Sequence, residues 1–237
     1  MSCKLILGDC IEILKNIQPN SIDHIICDLP YFNILKTDWD QQWSTIEDYL
    51  SWINLILIEY KRIIKPNGNI LLFTSRQNQR KIANLLDLYF IEQRIIIWKR
   101  KRCFNNTRGK TLASGYEPIS WYSATKNFTF NNIKQLIDSD RKEYKDGILK
   151  NGITMSDVLD IPALPHNHKE KVDHPSQKPL KLMEILISQF TKEEDTVLDN
   201  CMGSGSTGVA CKNLNRNFIG IEKNKEYFNI AKNRIEE

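Results

Sequence analysis

Short apolar stretches alternate along this chain with longer segments that have helical spacing. Residues 22–27 and 69–74 are short and rich in Ile and Leu, as buried parallel strands are. Residues 46–64 instead repeat their apolar side chains at the spacing of a helix. Because a helix between two strands lets those strands run parallel, this alternation predicts an α/β fold. We expect a doubly wound, mostly parallel sheet with helices on both faces.

One segment departs from this pattern. Residues 127–172 are polar and carry turn signals at 146–147 (Asp-Gly) and 151–152 (Asn-Gly). We therefore predict a small insertion there, outside the sheet. A chain of 237 residues is expected to form one domain with a full core, which residues 1–126 and 173–237 would share.

The tetrapeptide Asp28-Leu29-Pro30-Tyr31 follows the first of these buried strands. α/β sheets bind ligands at the carboxyl ends of their strands. Pro30 has no N–H and a fixed φ, so it turns the chain out of the sheet. Asp28 and the nearby carbonyls can accept hydrogen bonds from an amine, and Tyr31 offers a ring for stacking. A nucleobase amine fits this combination, although Asp and Pro also suit an ordinary turn.

A second candidate site runs from Val197 to Gly208, which has the pattern of a strand, a glycine loop and a helix start. Its glycines match GxGxxG, and Glu222 ends the next strand, where it can hold ribose hydroxyls. A dinucleotide is one candidate ligand, but Asp199 would repel its pyrophosphate. Too few residues follow for the sheet that usually comes after such a motif. S-adenosylmethionine has adenosine, an ammonium and a sulfonium but no phosphate, and it fits the charges better.

These motifs resemble those of the DNA amino-methyltransferases. Asp28-Leu-Pro-Tyr31 is similar to the family's D-P-P-Y motif, with Leu29 in place of the first Pro. Residues 174–179 (HPSQKP), 198–208 and 217–222 are similar to its cofactor motifs. The catalytic motif precedes the cofactor loop, which is the order of the β group. The resemblance covers nearly the whole chain outside residues 127–172.

The resemblance implies a Rossmann-like methyltransferase fold in circularly permuted order, with the helix after Glu222 leading into the strand before Asp9. By this resemblance, residues 1–126 form the catalytic half of the domain and residues 173–237 the cofactor-binding half. Residues 127–172 form a target-recognition insertion. The expected catalytic residues are Asp28, Leu29, Pro30 and Tyr31. The expected cofactor contacts are Asp9, Cys10, Asp28, Ser176, Gln177, Lys178, Asp199, Asn200, Cys201, Gly203, Ser204, Gly205, Ser206, Thr207 and Glu222.

The implied reaction is transfer of a methyl group from S-adenosylmethionine to an exocyclic amine of double-stranded DNA, on a base flipped out of the duplex. In this family Asp at the first motif position is commoner for adenine and Ser for cytosine. Asp28 therefore favours adenine N6, with cytosine N4 as the alternative. A nicotinamide oxidoreductase using the Gly203–Gly208 loop and a noncatalytic DNA-binding module are the alternatives from other functional classes.

A basic stretch follows the strand predicted at residues 90–98. We expect it to contact DNA phosphates, through Lys99, Arg100, Lys101, Arg102, Arg108 and Lys110. The alternative for this basic stretch is a solvated surface loop. Base readout is expected from residues 127–172. His166 and His168 lie in that segment without a third ligand at a recognisable spacing, so no metal is predicted.

Composition agrees with these expectations without deciding among them. The net charge of +4 and pI near 8.6 suit an anionic partner. The six cysteines are scattered without a CxxC pair, as in a reducing compartment. The chain has no apolar run long enough to span a membrane and no signal-peptide pattern. We expect a cytoplasmic protein of bacterial or phage origin, with a cognate restriction endonuclease and a homodimer as open possibilities.

Overall fold

The computed structural model describes residues 2–34, 37, 39–104, 112–135, 144–145, 148–149 and 153–237. Its helices are α1 (Cys10–Leu14), α2 (Ile46–Ile63), α3 (Gln79–Leu86), α4 (Leu180–Phe190), α5 (Ser206–Asn213) and α6 (Lys225–Glu236). Its strands are β1 (Cys3–Leu7), β2 (Ile22–Asp28), β3 (Ile64–Phe73), β4 (Ile91–Phe104), β5 (Ser114–Ser123), β6 (Lys134–Gln135), β7 (Tyr144–Lys145), β8 (Ile148–Leu149), β9 (Ile153–Thr154), β10 (Val158–Asp160), β11 (Thr196–Asp199) and β12 (Asn217–Glu222). No helix within this described part is long and apolar enough to cross a membrane.

The main sheet has eight strands in the order β1-β12-β11-β2-β3-β5-β4-β10. All neighbours run parallel except β5, which is antiparallel to both β3 and β4. The prediction of a doubly wound, mostly parallel sheet is confirmed. Only nine residues separate β4 from β5, too few for the crossover that a parallel pair needs, which explains the antiparallel strand.

The alternating side chains of β2 show why helices cover both faces of the sheet. Ile25 and Cys27 pack into the cluster that includes residues of α1, α2 and α3. Ile26 points the other way, into the cluster with α4, α5 and α6. Because successive strand residues alternate in direction, one strand supports two cores. Each fully buried Ile of this kind contributes about 1.5–3 kcal/mol.

The order of the strands also confirms the circular permutation. β1 pairs in parallel with β12, with Leu7 opposite Glu222, and the Gly8 N–H donates to the Glu222 carbonyl at 2.9 Å. Cys3 and Glu236 line the same cavity, so the two end segments of the chain meet. The helix after β12 therefore returns the chain beside β1, as the sequence predicts.

One expectation about residues 127–172 is wrong, because part of this segment belongs to the main sheet. β10 pairs in parallel with β4, with Val158 opposite Ile97. Leu159 is buried, and the Trp98 indole donates to the Ile161 carbonyl at 2.8 Å. A strand of three residues with one buried side chain is too short to show a period in sequence. The division of the chain into three functional segments stays a prediction.

Candidate active site

The carboxyl ends of β2, β11 and β12 meet at one edge of the sheet. These strands are parallel neighbours that end at Asp28, Asp199 and Glu222. The tetrapeptide Asp28–Tyr31 and the glycine loop, which are far apart in sequence, therefore lie side by side. This is the position at which open α/β sheets bind ligands.

Asp28 has two side-chain donors. The Tyr31 hydroxyl donates to Oδ1 at 2.8 Å, and the Lys178 ammonium contacts Oδ2. The Pro30 carbonyl accepts a hydrogen bond from the Tyr49 hydroxyl at 2.9 Å, so this carbonyl has a partner inside the protein. The Leu29 side chain is buried beneath the turn. The tetrapeptide is thus held in place, with the Leu29 carbonyl next to the Asp28 carboxylate in the chain.

The structure places Lys178 at Asp28, although the sequence assigns it to the cofactor. Its ammonium also lies 3.5 Å from Glu117 Oε2. The rings of Tyr31, Phe73 and Trp98 surround it, with centroids 5.9, 5.2 and 5.9 Å from Nζ. Burial lowers the pKa of this ammonium, but the two carboxylates outweigh burial, and the pKa stands above its ordinary value. Lys178 is therefore a buried cation in a cage of rings and carboxylates.

Glu117 is a residue of this site that the sequence analysis missed. Its side chain is 16% exposed and pairs with Arg100 at 2.7 Å. The register of β4 and β5 brings Glu117 to Lys178, because Glu117 lies opposite Trp98, whose ring also faces the Lys178 ammonium. An acidic residue directly before the buried part of the strand, residues 118–123, was the available signal. The Arg100 side chain is only 12% exposed, so its geometry favours a structural partner over a DNA phosphate.

The other predicted phosphate contacts are placed only in part. Lys99 is exposed and pairs with Asp160 of β10 at 2.9 Å. Lys101 and Arg102 extend β4 beyond its predicted end, and only their backbone is described. Arg108 and Lys110 lie outside the described residues.

Two carboxylates organise the glycine loop from inside. Asp199 accepts hydrogen bonds from the Cys201 N–H at 3.1 Å and the Thr207 hydroxyl at 2.6 Å. Burial raises the pKa of Asp199 to about 6. Glu222 accepts from the backbone N–H groups of Gly203 at 2.9 Å and Asn224 at 2.8 Å, and burial raises its pKa also. These bonds fix the loop, and each carboxylate oxygen keeps a further lone pair.

The loop glycines have different neighbours. Gly203 and Gly205 have φ of +49° and +77°, in the left-handed region that favours glycine. A Cβ on Gly205 would lie 2.9 Å from that of Ala231, and one on Gly208 would lie 2.4 Å from Ile235 Cδ1. Those two glycines let α6 approach closely, whereas Gly203 faces His174.

The remaining predicted cofactor residues surround this loop. Ser206 donates to the Lys178 carbonyl at 2.9 Å, and Ser204 is buried next to it. Gln177 bonds with Val172 and Glu170, inside its own segment, and Ser176 is half-buried.

Asp9 and Cys10 lie at the start of α1, where Asp9 caps the helix by accepting from the Ile11 N–H at 3.0 Å. The Cys201 thiol, by hydrogen bonding, lowers the pKa of Cys10. Asn200 is buried and accepts a hydrogen bond from the Tyr60 hydroxyl. The structure thus brings Asp9 and Cys10, which follow β1, next to residues of the glycine loop.

Aromatic rings cover the loop from the other side. Trp39 stacks on His174, with centroids 6.1 Å apart and planes 9° apart. Tyr227 of α6 forms a T-shaped pair with each of these two rings. A Cβ on Gly203 would lie 2.8 Å from His174 Nε2. Burial, with help from Lys178, lowers the pKa of His174 to about 4.

No group of three or more His, Cys, Asp or Glu side chains in the described ranges is arranged to hold a metal ion. His168 instead accepts from the Glu170 N–H at 3.2 Å within its own turn.

Comparisons with known proteins agree with this geometry. The chain is 32% identical to the type II methyltransferase M.HinfI of Haemophilus influenzae, over 98% of this chain and 68% of that protein. It is 34% identical to M.HpaI of Haemophilus parainfluenzae, over 100% of this chain and 75% of that protein. The crystal structure of an M1.HpyAVI–SAM complex is 30% identical with a TM-score of 0.70, covering 98% of both chains.

The fold extends to a more distant structure, the cytosine-N4-specific PvuII DNA methyltransferase. Its TM-score is 0.79 at 19% identity, over 99% of this chain and 86% of that one. The family model described as DNA methylase matches residues 22–233, from the start of β2 into α6. The chain therefore belongs to the DNA methylase family of N6-adenine and N4-cytosine methyltransferases.

Proposed function

We propose that this protein is a site-specific DNA methyltransferase that acts on the N6 amine of a flipped-out adenine. The observation that carries the proposal is the Asp28 carboxylate at the end of β2, beside the glycine loop of the neighbouring β11. An acceptor for an amine thus lies next to a loop suited to a nucleoside.

S-adenosylmethionine is the methyl donor, and it supplies a methyl group on a positively charged sulfur. The residues present fit this molecule. Glu222 would accept hydrogen bonds from ribose hydroxyls, and the carboxylates around the loop suit a ligand without phosphate. Asp9 and the Cys10 N–H would meet the adenine ring. Ser176, Asn200, Ser204 and Thr207 complete the proposed pocket.

The target amine needs help because its lone pair is delocalised into the ring. In the proposed complex, one N–H donates to Asp28 and the other to the Leu29 carbonyl. These bonds direct the lone pair toward the methyl group, and positioning of this kind supplies much of the rate. As the N–C bond forms and the bond between the methyl carbon and sulfur breaks, positive charge would pass to the nitrogen. The Asp28 carboxylate would stabilise that charge until the nitrogen loses a proton.

The base must leave the duplex to reach this site, which costs a few kcal/mol of stacking and pairing. Stacking on the Tyr31 ring would return about 1–3 kcal/mol. The Tyr31 hydroxyl already donates to Asp28, so the bond that orients the carboxylate also fixes the ring.

DNA contacts are divided between two parts of the chain. Lys99, Lys101, Arg102, Arg108 and Lys110 would bind phosphates, which positions the duplex without reading its sequence. Residues 127–172 would read base edges, where Asn, Gln and His side chains are available. A cytoplasmic location, a cognate restriction endonuclease and a homodimer belong to the same proposal. M.HinfI and M.HpaI are both named type II methyltransferases, which supports a role in restriction–modification.

Cytosine N4 is the second candidate, since both amines present the same two hydrogens. The likeness to the cytosine-N4-specific PvuII enzyme supports it, although at 19% identity that likeness concerns the fold. A nicotinamide oxidoreductase is set aside because the family match spans residues 22–233.

The test is to incubate the protein with unmethylated genomic DNA and methyl-labelled S-adenosylmethionine, and then to digest the DNA to nucleosides. We expect labelled N6-methyladenine by mass spectrometry. Asp28→Ala should abolish transfer. Labelled N4-methylcytosine would move the assignment to the second candidate, and substantial activity in Asp28→Ala would remove Asp28 from the mechanism.

A further inference from the structure

Lys178 occupies the position that the proposed reaction gives to the substrate. Its ammonium contacts Asp28 Oδ2, while the Tyr31 hydroxyl holds Oδ1. A target amine that donates to Asp28 must therefore compete with a buried cation. Removing a buried cation from its counterion is costly unless a second partner receives it.

Glu117 is placed to be that second partner. Its Oε1 accepts from Arg100 at 2.7 Å, which turns the other oxygen toward Lys178. That oxygen, Oε2, is buried and has no hydrogen-bond partner among the side chains and backbone that the structure describes. It lies 3.5 Å from Lys178 Nζ, a distance at which the charges attract without a good hydrogen bond.

The surroundings of the ammonium allow this shift without exposure to water. The rings of Phe73 and Trp98 lie 5.2 and 5.9 Å from Nζ, and a cation keeps favourable contact with such faces over a range of positions. The Lys178 side chain is 9% exposed. A small movement from Asp28 toward Glu117 would therefore exchange one buried ion pair for another.

We propose that Glu117 is a positioning residue that receives the Lys178 ammonium when the target amine reaches Asp28. Lys178 then leaves Asp28 when the amine arrives. Its ammonium pairs instead with Glu117, whose other carboxylate oxygen is bound by Arg100. The inference rests on the proposed function, because it assigns Asp28 to the amine.

The experiment measures methyl transfer to unmethylated genomic DNA by wild type, Glu117→Gln, and Glu117→Gln combined with Lys178→Met. In Glu117→Gln the ammonium keeps only Asp28 as a counterion, so kcat should fall about tenfold or more. Affinity for S-adenosylhomocysteine should stay within about twofold, since the change does not touch the glycine loop.

The double variant separates this role from a structural one. If Lys178 blocks Asp28 in Glu117→Gln, removing its ammonium should restore a large part of kcat. A structural defect would not be repaired by a second substitution in the same core. Should Glu117→Gln not fold, Glu117→Asp applies the same test, because it keeps the charge for Arg100 but retracts the carboxylate from Lys178.

Glu59→Gln is the matched control. Glu59 is 17% exposed and pairs with an arginine, Arg62, at 2.6 Å on α2, so it resembles Glu117 in burial and partner. The kcat of the Glu59→Gln variant should stay at the wild-type value.

An unchanged kcat in Glu117→Gln, or a double variant no more active than the single one, would overturn the inference. Absence of any transfer by the wild type would instead count against the proposed function.

Discussion

Replacing Gly203 with alanine should weaken cofactor binding more than it weakens the fold. Gly203 has φ of +49°, where a Cβ costs about 1–2 kcal/mol. The new Cβ would also lie 2.8 Å from His174 Nε2, so the ring would have to shift against Trp39, on which it stacks. We expect the loop of the variant to relax when no ligand is bound, so that binding imposes the strain again.

The backbone part alone, about 1–2 kcal/mol, corresponds to about 5–30-fold weaker binding, and the contact with His174 adds to this loss. Titration calorimetry with S-adenosylhomocysteine measures this change directly. Methyl transfer at saturating cofactor should keep kcat within about threefold of wild type, because the native loop is restored once the ligand is bound. Urea unfolding supplies the accompanying change in stability.

The same substitution in a His174→Ala background isolates the ring contact from the backbone strain. With the ring removed, Gly203→Ala should weaken binding only by the part due to φ, and the difference between backgrounds gives the coupling energy. An affinity for Gly203→Ala within about twofold of wild type, alongside a clear loss of stability, would refute the reasoning.

Three further predictions concern the turn, the loop and the DNA surface. Tyr49→Phe removes a hydrogen bond to the Pro30 carbonyl worth about 1 kcal/mol, and should lower kcat about fivefold in a radiolabelled assay without changing cofactor affinity. Asp199 has a pKa raised by burial to about 6, so its stabilising contribution is complete below about pH 4 and is lost as pH rises through 6. In urea unfolding, the stability of wild type relative to Asp199→Asn should therefore fall across this range, and a constant difference would contradict the assignment. Arg102→Ala with Arg108→Ala should weaken binding to specific and random DNA alike and reduce the salt slope by about 1 for each phosphate that is no longer neutralised. An altered sequence preference with an unchanged slope would count against phosphate binding.

The parts of the site that are contiguous in sequence could be predicted from it. Asp28 to Tyr31 is one turn after one strand, and Gly203 to Gly208 is one loop, so residue types and order were sufficient to locate both segments at strand ends. The ion pair of Lys178 could not be predicted in this way, because its neighbours in sequence belong to the cofactor motifs whereas its ammonium reaches Asp28.

Glu117 illustrates a limit of reading the sequence alone. Its contact with Lys178 depends on β5 lying antiparallel between β3 and β4, and on the register that sets Glu117 opposite Trp98. Neither the strand order nor the register is visible in local patterns of apolar residues. β10 was missed for a different reason, since three residues give too little pattern to separate a strand from a loop.

The adjacency of β2 and β11 has a consequence for how the protein folds. His24 at the start of one strand bonds to Asp195 before the other, across 171 positions of the chain. Contacts between such distant residues form slowly because a long loop must close first. Asp28 and the glycine loop can come together only after β11 and β12 have been synthesised and docked. A growing chain on the ribosome therefore carries Asp28 from early on but gains methylating ability only near the completion of the fold.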